Sequence, residues 1–393
     1  MTFLLILFTV QTLAIFLNLL KFLSRKHMVD VLRFTYGFFL IFSGFIKILD
    51  PLGFSYKLQE YFEVFGMEWI IPLSLVLSIA VCAFEILIGF CLIYGIQVKN
   101  ALYANLALMI GFTFLTFYSA YFNAVTDCGC FGDFMKLEPW FSFQKDVILL
   151  IVSVVLFINK SAINKIFNTR LTYKLLLVSC LIVLFVPFYA LANLPFIDFR
   201  AYSIGSSITD GRQLPDNAVK DVYEDVWYYE VQGEIKEFST SQKPWEIEGA
   251  VFKDRVSKLI SKGDEPLIHD FDILDEISGL DMTDSILNLN KVVLVVCYDI
   301  EKTNIKGHRS INNFLSYSID NRIPVYGLSS SSKDELNSKL SNIDLKYPYF
   351  LVDQTTLKTI VRSNPGIIVL DKGVVVDKFH WRNSPSQLIN SQD

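Results

Sequence analysis

Two cysteines separated by one glycine form the stretch best suited to chemistry: Asp127-Cys128-Gly129-Cys130-Phe131-Gly132-Asp133. Thiols this close can close only a small, strained ring, and strain makes a disulfide a stronger oxidant. The flanking carboxylates tend to raise thiol pKa values and so oppose a strongly acidic thiolate. Three readings fit at this point: a redox pair, a structural disulfide, or metal ligands. The last is poor, because two Cys without a nearby His make an incomplete zinc site. Cys82, Cys91 and Cys180 are embedded in apolar runs, and Cys297 falls in the strand-like run Val292–Tyr298. A thiol in such surroundings behaves as a small hydrophobe.

Three ionisable residues, Arg33, Lys47 and Glu85, lie within or at the edges of apolar runs. Glu85 is near the middle of its run, where a charge costs several kcal/mol unless it is paired or neutral. It reads either as a polar clamp bonded to a neighbouring helix or as a group that handles protons or a quinone. Arg33 and Lys47 are nearer the ends and can snorkel as anchors. Together the three are the candidate contacts for a quinone, the one cofactor class such a site suggests. No metal is expected. His269, His308 and His380 are isolated and read as structural or exposed.

The elements that must position these residues follow from composition. The chain has 393 residues, 52% hydrophobic and only 19% charged, which excludes a disordered chain, a disulfide-stapled miniprotein and a basic nucleic-acid binder. Up to Pro195 there are 13 Lys/Arg against 10 Asp/Glu, and beyond it 22 against 30, so an apolar half precedes an acidic one. Six runs are long enough to cross about 30 Å of hydrocarbon as helices. They are Phe3–Leu20, Val31–Leu49, Ile70–Ile96, Ala101–Phe122, Val147–Ile158 and Leu175–Leu194, the fifth extendable through Phe141 and Phe143. The first run lacks a basic n-region and an A-x-A-like site, so it reads as a span rather than a signal peptide. Loops holding Lys21, Arg25, Lys26, Lys99, Lys160, Lys165, Arg170 and Lys174 are expected in the cytoplasm by the positive-inside rule. The Cys128–Cys130 loop and everything after Pro195 are then expected outside. Phe54–Phe65 alternates aromatics and charges at near-helical spacing and reads either as an amphipathic helix along the outer interface or as an aromatic-belt loop.

The stretch Arg33-Phe34-Thr35-Tyr36-Gly37, running on through Ser43, Gly44, Lys47, Asp50 and Pro51, resembles the opening helix of DoxX-type membrane proteins. Glu85 followed by Gly89 fits the same pattern, and the DCGCFGD loop resembles the methylamine-utilisation MauE branch. The likeness covers about Met28–Ile158. It implies a four-helix membrane fold with one extra span on each side. MauE-type members are associated with maturation of a disulfide-rich periplasmic enzyme subunit, so the resemblance implies extracytoplasmic thiol chemistry at Cys128 and Cys130. Fusion to an external domain is similar to an arrangement in Bacteroidota-type members, which implies a Gram-negative inner membrane.

After Pro195 the sequence turns to β patterns. Pro195–Asn217 reads as a linker opened by Asp198 and Arg200, Asp225–Phe238 as a hairpin about Gln232-Gly233, and Val251–Ser261 as a short amphipathic helix. Val292–Tyr298, Pro324–Leu328, Tyr349–Val352, Gly366–Leu370 and Val374–His380 read as strands, with helices at about Ile311–Ser318 and Lys333–Ser341. This order resembles the thioredoxin fold, in particular the TlpA-like branch. Pro266–Phe271 resembles that branch's leading segment, and Ser363-Asn364-Pro365-Gly366 its cis-proline loop, which implies partner binding at Asn364 and Pro365. The departure is decisive: where thioredoxins carry Cys-x-x-Cys, this chain reads Asp299-Ile300-Glu301-Lys302-Thr303-Asn304. Such a domain cannot run dithiol exchange by itself.

The expected fold is an α-helical membrane bundle of six spans with a DoxX-like four-helix core, plus an α/β thioredoxin-like soluble domain. The expected division is residues 1–27 (first helix), 28–160 (four-helix domain), 161–195 (sixth helix), 196–265 (linker and hairpin) and 266–393 (periplasmic domain). Two functions compete: a membrane thiol-disulfide oxidoreductase serving a periplasmic client, and a non-enzymatic anchored chaperone or assembly subunit in which the disulfide is a staple. Transport along Glu85 is weaker, since the internal repeat and broken helices of transporters are missing. The expected partners are the lipid bilayer and a periplasmic protein client, and no nucleic acid.

Overall fold

A computed structural model describes residues 2–125, 129–215, 217–261, 263–320, 322–343, 345 and 347–384. The chain forms two compact units. The first comprises Met1–Arg200 together with two returning segments, Val361–Gly366 and Phe379–Pro385; the second comprises most of the remainder.

Among the described residues, seven α-helices build the first unit: α1 (Thr2–Leu19), α2 (Arg25–Leu49), α3 (Pro51–Val64), α4 (Ser74–Tyr94), α5 (Val98–Phe122), α6 (Pro139–Ile158) and α7 (Thr169–Ala192). All but α3 belong to segments long and apolar enough to cross a membrane, α4 with the turn Glu68–Leu73 before it. The expected six spans are therefore present. The fifth, α6, begins eight residues earlier than its apolar core because Pro139 supplies the first helical position, where a missing N–H costs nothing. That carries Lys145 out of the loop, where its charge suggested it lay, and into the helix, buried.

Helices α2 and α4 approach closely, and small residues permit it. A Cβ on Gly44 would lie 2.6 Å from Ile86 Cγ1, and one on Gly89 2.6 Å from the Gly37 carbonyl oxygen. In hydrocarbon, where burial gives no drive to associate, such close backbone approach is what holds helices together. One end of the bundle gathers the basic loops, with Arg25 Nε donating to Asn159 Oδ1 (2.6 Å) and Arg33 Nη1 to the Asn164 carbonyl (2.7 Å). The opposite end holds α3 and the segment after α5. One face of α3 is buried through Phe54 and Tyr61, and the Tyr61 hydroxyl meets Ser119 Oγ at 2.9 Å.

In the second unit, β1 (Val222–Val231) pairs antiparallel with β2 (Glu234–Ser239) across Gln232-Gly233, both of positive φ, and with β3 (Val251–Ser261) on its other edge. The expected helix at 251–261 is thus a strand. Phe252, Val256 and Leu259 follow helical spacing, but the open edge of β1 offers a full ladder, with Tyr229 opposite Phe252 and Val226 opposite Val256. The segment read as a linker is also structured. It forms the single turn α8 (Ile208–Gly211), and Gly205 and Ile208 donate to the carbonyls of Val375 and Gly373. A larger sheet has the order β6-β5-β4-β7-β8, from β4 (Val292–Cys297), β5 (Val325–Ser329), β6 (Tyr349–Leu351), β7 (Gly366–Asp371) and β8 (Val374–His380). The first three run parallel. Every residue of β4 is buried, as a central strand covered on both faces requires. The accompanying helices are α9 (Thr283–Leu287), α10 (Ile305–Asp320), α11 (Lys333–Lys339) and α12 (Gln354–Ile360). The protein is a helical membrane bundle joined to an α/β region.

Candidate functional site

The cysteine loop does not hang free of the bundle. Cys128 lies outside the described residues, but Gly129 to Phe134 form two overlapping turns, with Gly132 N–H donating to the Gly129 carbonyl (3.2 Å) and Phe134 N–H to that of Phe131 (3.1 Å). Phe131 is only 1% exposed and packs its ring against Phe39 and Phe42 of α2. Ser43 Oγ donates to the Cys130 carbonyl (3.2 Å). Gly129 has φ +66°, and a Cβ there would lie 2.9 Å from Lys57 Cγ on α3. Both conformation and space therefore demand glycine between the two cysteines.

Beside Cys130 is a cation. Lys145 Nζ stands 3.5 Å from the Cys130 sulfur, next to the Phe131 ring, and is ion-paired with Asp146. Asp146 Oδ2 also accepts from Thr116 Oγ1 of α5 (3.0 Å). A second buried pair, Lys47 Nζ to Glu85 Oε2 at 2.5 Å, crosses the glycine seam from α2 to α4. The Lys47 ammonium also faces the rings of Phe54 and Phe112, each at 5.3 Å, and interacts electrostatically with Cys82 and Cys130. The Cys130 sulfur thus has one ammonium, that of Lys145, within contact distance, and that ammonium is shared with the Asp146 carboxylate.

A third charged group borders the loop. Arg362, on the segment that returns to the first unit, is 5% exposed and directs Nε to both Asp50 oxygens (3.0 and 2.8 Å). Its Nη2 lies 3.5 Å from Asp133 Oδ2, and its plane sits over the Tyr56 ring. Asp50 also caps α3, accepting from Gly53 N–H (3.1 Å). Burial alone would push the Asp50 carboxyl up; Arg362, and after it Arg200, hold it below the usual carboxylate range.

Of the residues singled out from sequence, Cys130, Lys47 and Glu85 come together at the loop end of the bundle. Lys47 does not snorkel, because Glu85 gives its charge a partner inside. Arg33 is elsewhere, paired with Asp30 (2.9 Å) at the end that carries the basic loops. The Asn364–Pro365 peptide is cis, and Ser363 Oγ beside it accepts from Trp381 N–H (3.2 Å). Cys297 is fully buried and its thiol is pushed up to about 11 by burial, as fits a core residue. Among the described residues, no group of three or more His, Cys, Asp or Glu is arranged to hold a metal. Sequence reasoning missed Lys145, Asp146 and Arg362. A Lys-Asp dyad with aromatic residues on its N-terminal side and an unbroken apolar run after it was the available signal for the first two.

Residues 25–159 match the family model of the methylamine utilisation protein MauE. Comparison with curated proteins and with solved structures returned no match. The matched stretch runs from the start of α2 to just past the end of α6 and so holds the cysteine loop, both buried ion pairs and Asp50. On these grounds the chain is a multi-pass membrane protein whose α2–α6 region is MauE-like.

Proposed function

We propose that this protein supports disulfide formation in extracytoplasmic proteins, with Cys128 and Cys130 as the exchanging pair. One observation carries the reading: a loop cysteine is lodged against the bundle with its sulfur 3.5 Å from a buried lysine ammonium. In this scheme the Cys128–Cys130 disulfide accepts two electrons and two protons from a client dithiol. The client leaves as a disulfide and the pair as a dithiol, which a two-electron acceptor of the quinone class reoxidises. Lys145 favours the thiolate form of Cys130 during exchange.

The α/β region reads as thioredoxin-like by its strand–helix order and by the loop at Asn364 and Pro365, and the membrane core as DoxX-like by Gly37, Gly44, Lys47 and Glu85. With no Cys-x-x-Cys, the α/β region would bind the client rather than oxidise it. By the positive-inside rule the cysteine loop and the α/β region face the periplasm of a Gram-negative inner membrane. Trapping tests this. A Cys130→Ser variant should accumulate mixed disulfides between Cys128 and extracytoplasmic proteins. Absence of such species under oxidising conditions, with full client maturation in a Cys128→Ser, Cys130→Ser double variant, would make the pair a staple and the protein an assembly factor.

A further inference from the structure

The Asp50–Arg362–Asp133 contact has no part in the exchange chemistry itself, yet it ends on the cysteine loop. We propose that Arg362 is a positioning residue for Cys130, an inference that rests on the thiol reading above. The guanidinium adds a charged bridge between two pieces of the first unit that already pack together. On one side is the α2–α3 junction, through Asp50, with Tyr56 beneath the guanidinium plane. On the other is Asp133, three residues from Cys130 and joined to it by the two turns of the loop. Space around the bridge is filled: a Cβ on Gly53 would lie 2.7 Å from Asp50 Oδ2 and 2.9 Å from Arg362 Nη2.

Removing Arg362 leaves Asp50 and Asp133 as two carboxylates deprived of the cation between them. Like charges at a shared site repel, and Asp50 and Asp133 are both partly shielded from water, with side chains 22% and 29% exposed. The loop then relieves this by moving Asp133 toward water, and Cys130 moves with it, away from Lys145. A lysine at 362 restores the charge but not the planar fork that reaches both carboxylates at once. It should restore the loop only in part.

The test is the alkylation rate of Cys130 in the reduced, full-length protein in a Cys128→Ser background, read peptide by peptide by mass spectrometry. Arg362→Gln should expose the sulfur by local opening and so raise the rate several-fold net, the gain in access outweighing the several-fold loss that separation from Lys145 brings, with Arg362→Lys intermediate and Cys82 and Cys297 unchanged. An unchanged Cys130 rate, or an equal rise at all three cysteines, overturns the proposal. Should Arg362→Gln fail to reach the membrane, Asp133→Asn decides, because it breaks only the loop side of the bridge and should raise the rate at Cys130 alone. Alkylation needs no turnover. A rate change at Cys130 without mixed disulfides in the trapping experiment would therefore sink the exchange reading and leave the positioning role standing.

Discussion

At the scale of single residues, the contrast between Cys130 and Cys297 shows how surroundings set the use of a thiol. Cys297 is sealed in a central strand and its thiol is held near 11 by burial, so it takes no part in exchange at neutral pH. Cys130 is partly buried but has an ammonium 3.5 Å from its sulfur. Replacing that cation with a side chain of similar length should therefore slow reaction at Cys130 selectively. In Lys145→Met, alkylation of Cys130 at pH 7 is expected to fall several-fold while Cys82 is unaffected; an unchanged rate would remove Lys145 from the account. The substitution also strips Asp146 of its ion pair, so membrane yield should be measured beside the rate. Gly129 shows the same logic in the backbone, since positive φ and the stem of Lys57 leave no room for a side chain between the cysteines.

At the scale of elements, the glycine seam between α2 and α4 lets the Lys47–Glu85 pair form. Gly44→Leu would push Ile86 and the Cys82 carbonyl away and separate the two charges. Overpacking of this kind costs about 1–3 kcal/mol, and the lost pair adds to it. The expected result is a lower unfolding midpoint in detergent, larger than that from Gly111→Leu, where a Cβ would meet nothing within 4 Å. Equal effects at the two positions would refute the seam. The six spans were legible in the sequence because long apolar runs have few competing explanations, the signal-peptide reading of the first failing on its missing basic n-region. Other elements were less so. The stretch 251–261 fits a helix and a strand equally by its own spacing, and the edge of β1 settles it. Lys145 looked like a loop charge although Phe141 and Phe143 allowed the fifth span to extend past it, because only the ion pair with Asp146 shows how a charge is accommodated there. Arg362 carries no local mark at all, since its partner Asp50 is 312 residues away in sequence.

For the whole molecule, two buried histidines set a shared response to acid. Burial pushes both His308 and His380 down to about 4, with Arg382 adding to the effect at His380. In the unfolded chain these two groups bind protons at about 6.5 and in the folded one only near 4, so the stability they contribute is complete above 6.5 and is lost as pH falls through that window. For His308 alone the loss approaches about 3 kcal/mol at the lower limit. Hydrogen exchange, corrected for its intrinsic pH dependence, should accelerate in β4 and early α10 between pH 6.5 and 4. His308→Gln should flatten that slope, and a slope that persists in the variant would assign the effect elsewhere. The Arg362 contact carries a different consequence, one of timing. Asp133 precedes Arg362 by 229 residues, and at 5–20 residues per second the ribosome needs roughly 10–45 s to make them. During every round of synthesis the cysteine loop therefore waits for the cation that clasps it, and an oxidant that meets the nascent chain meets the loop in its unclasped form.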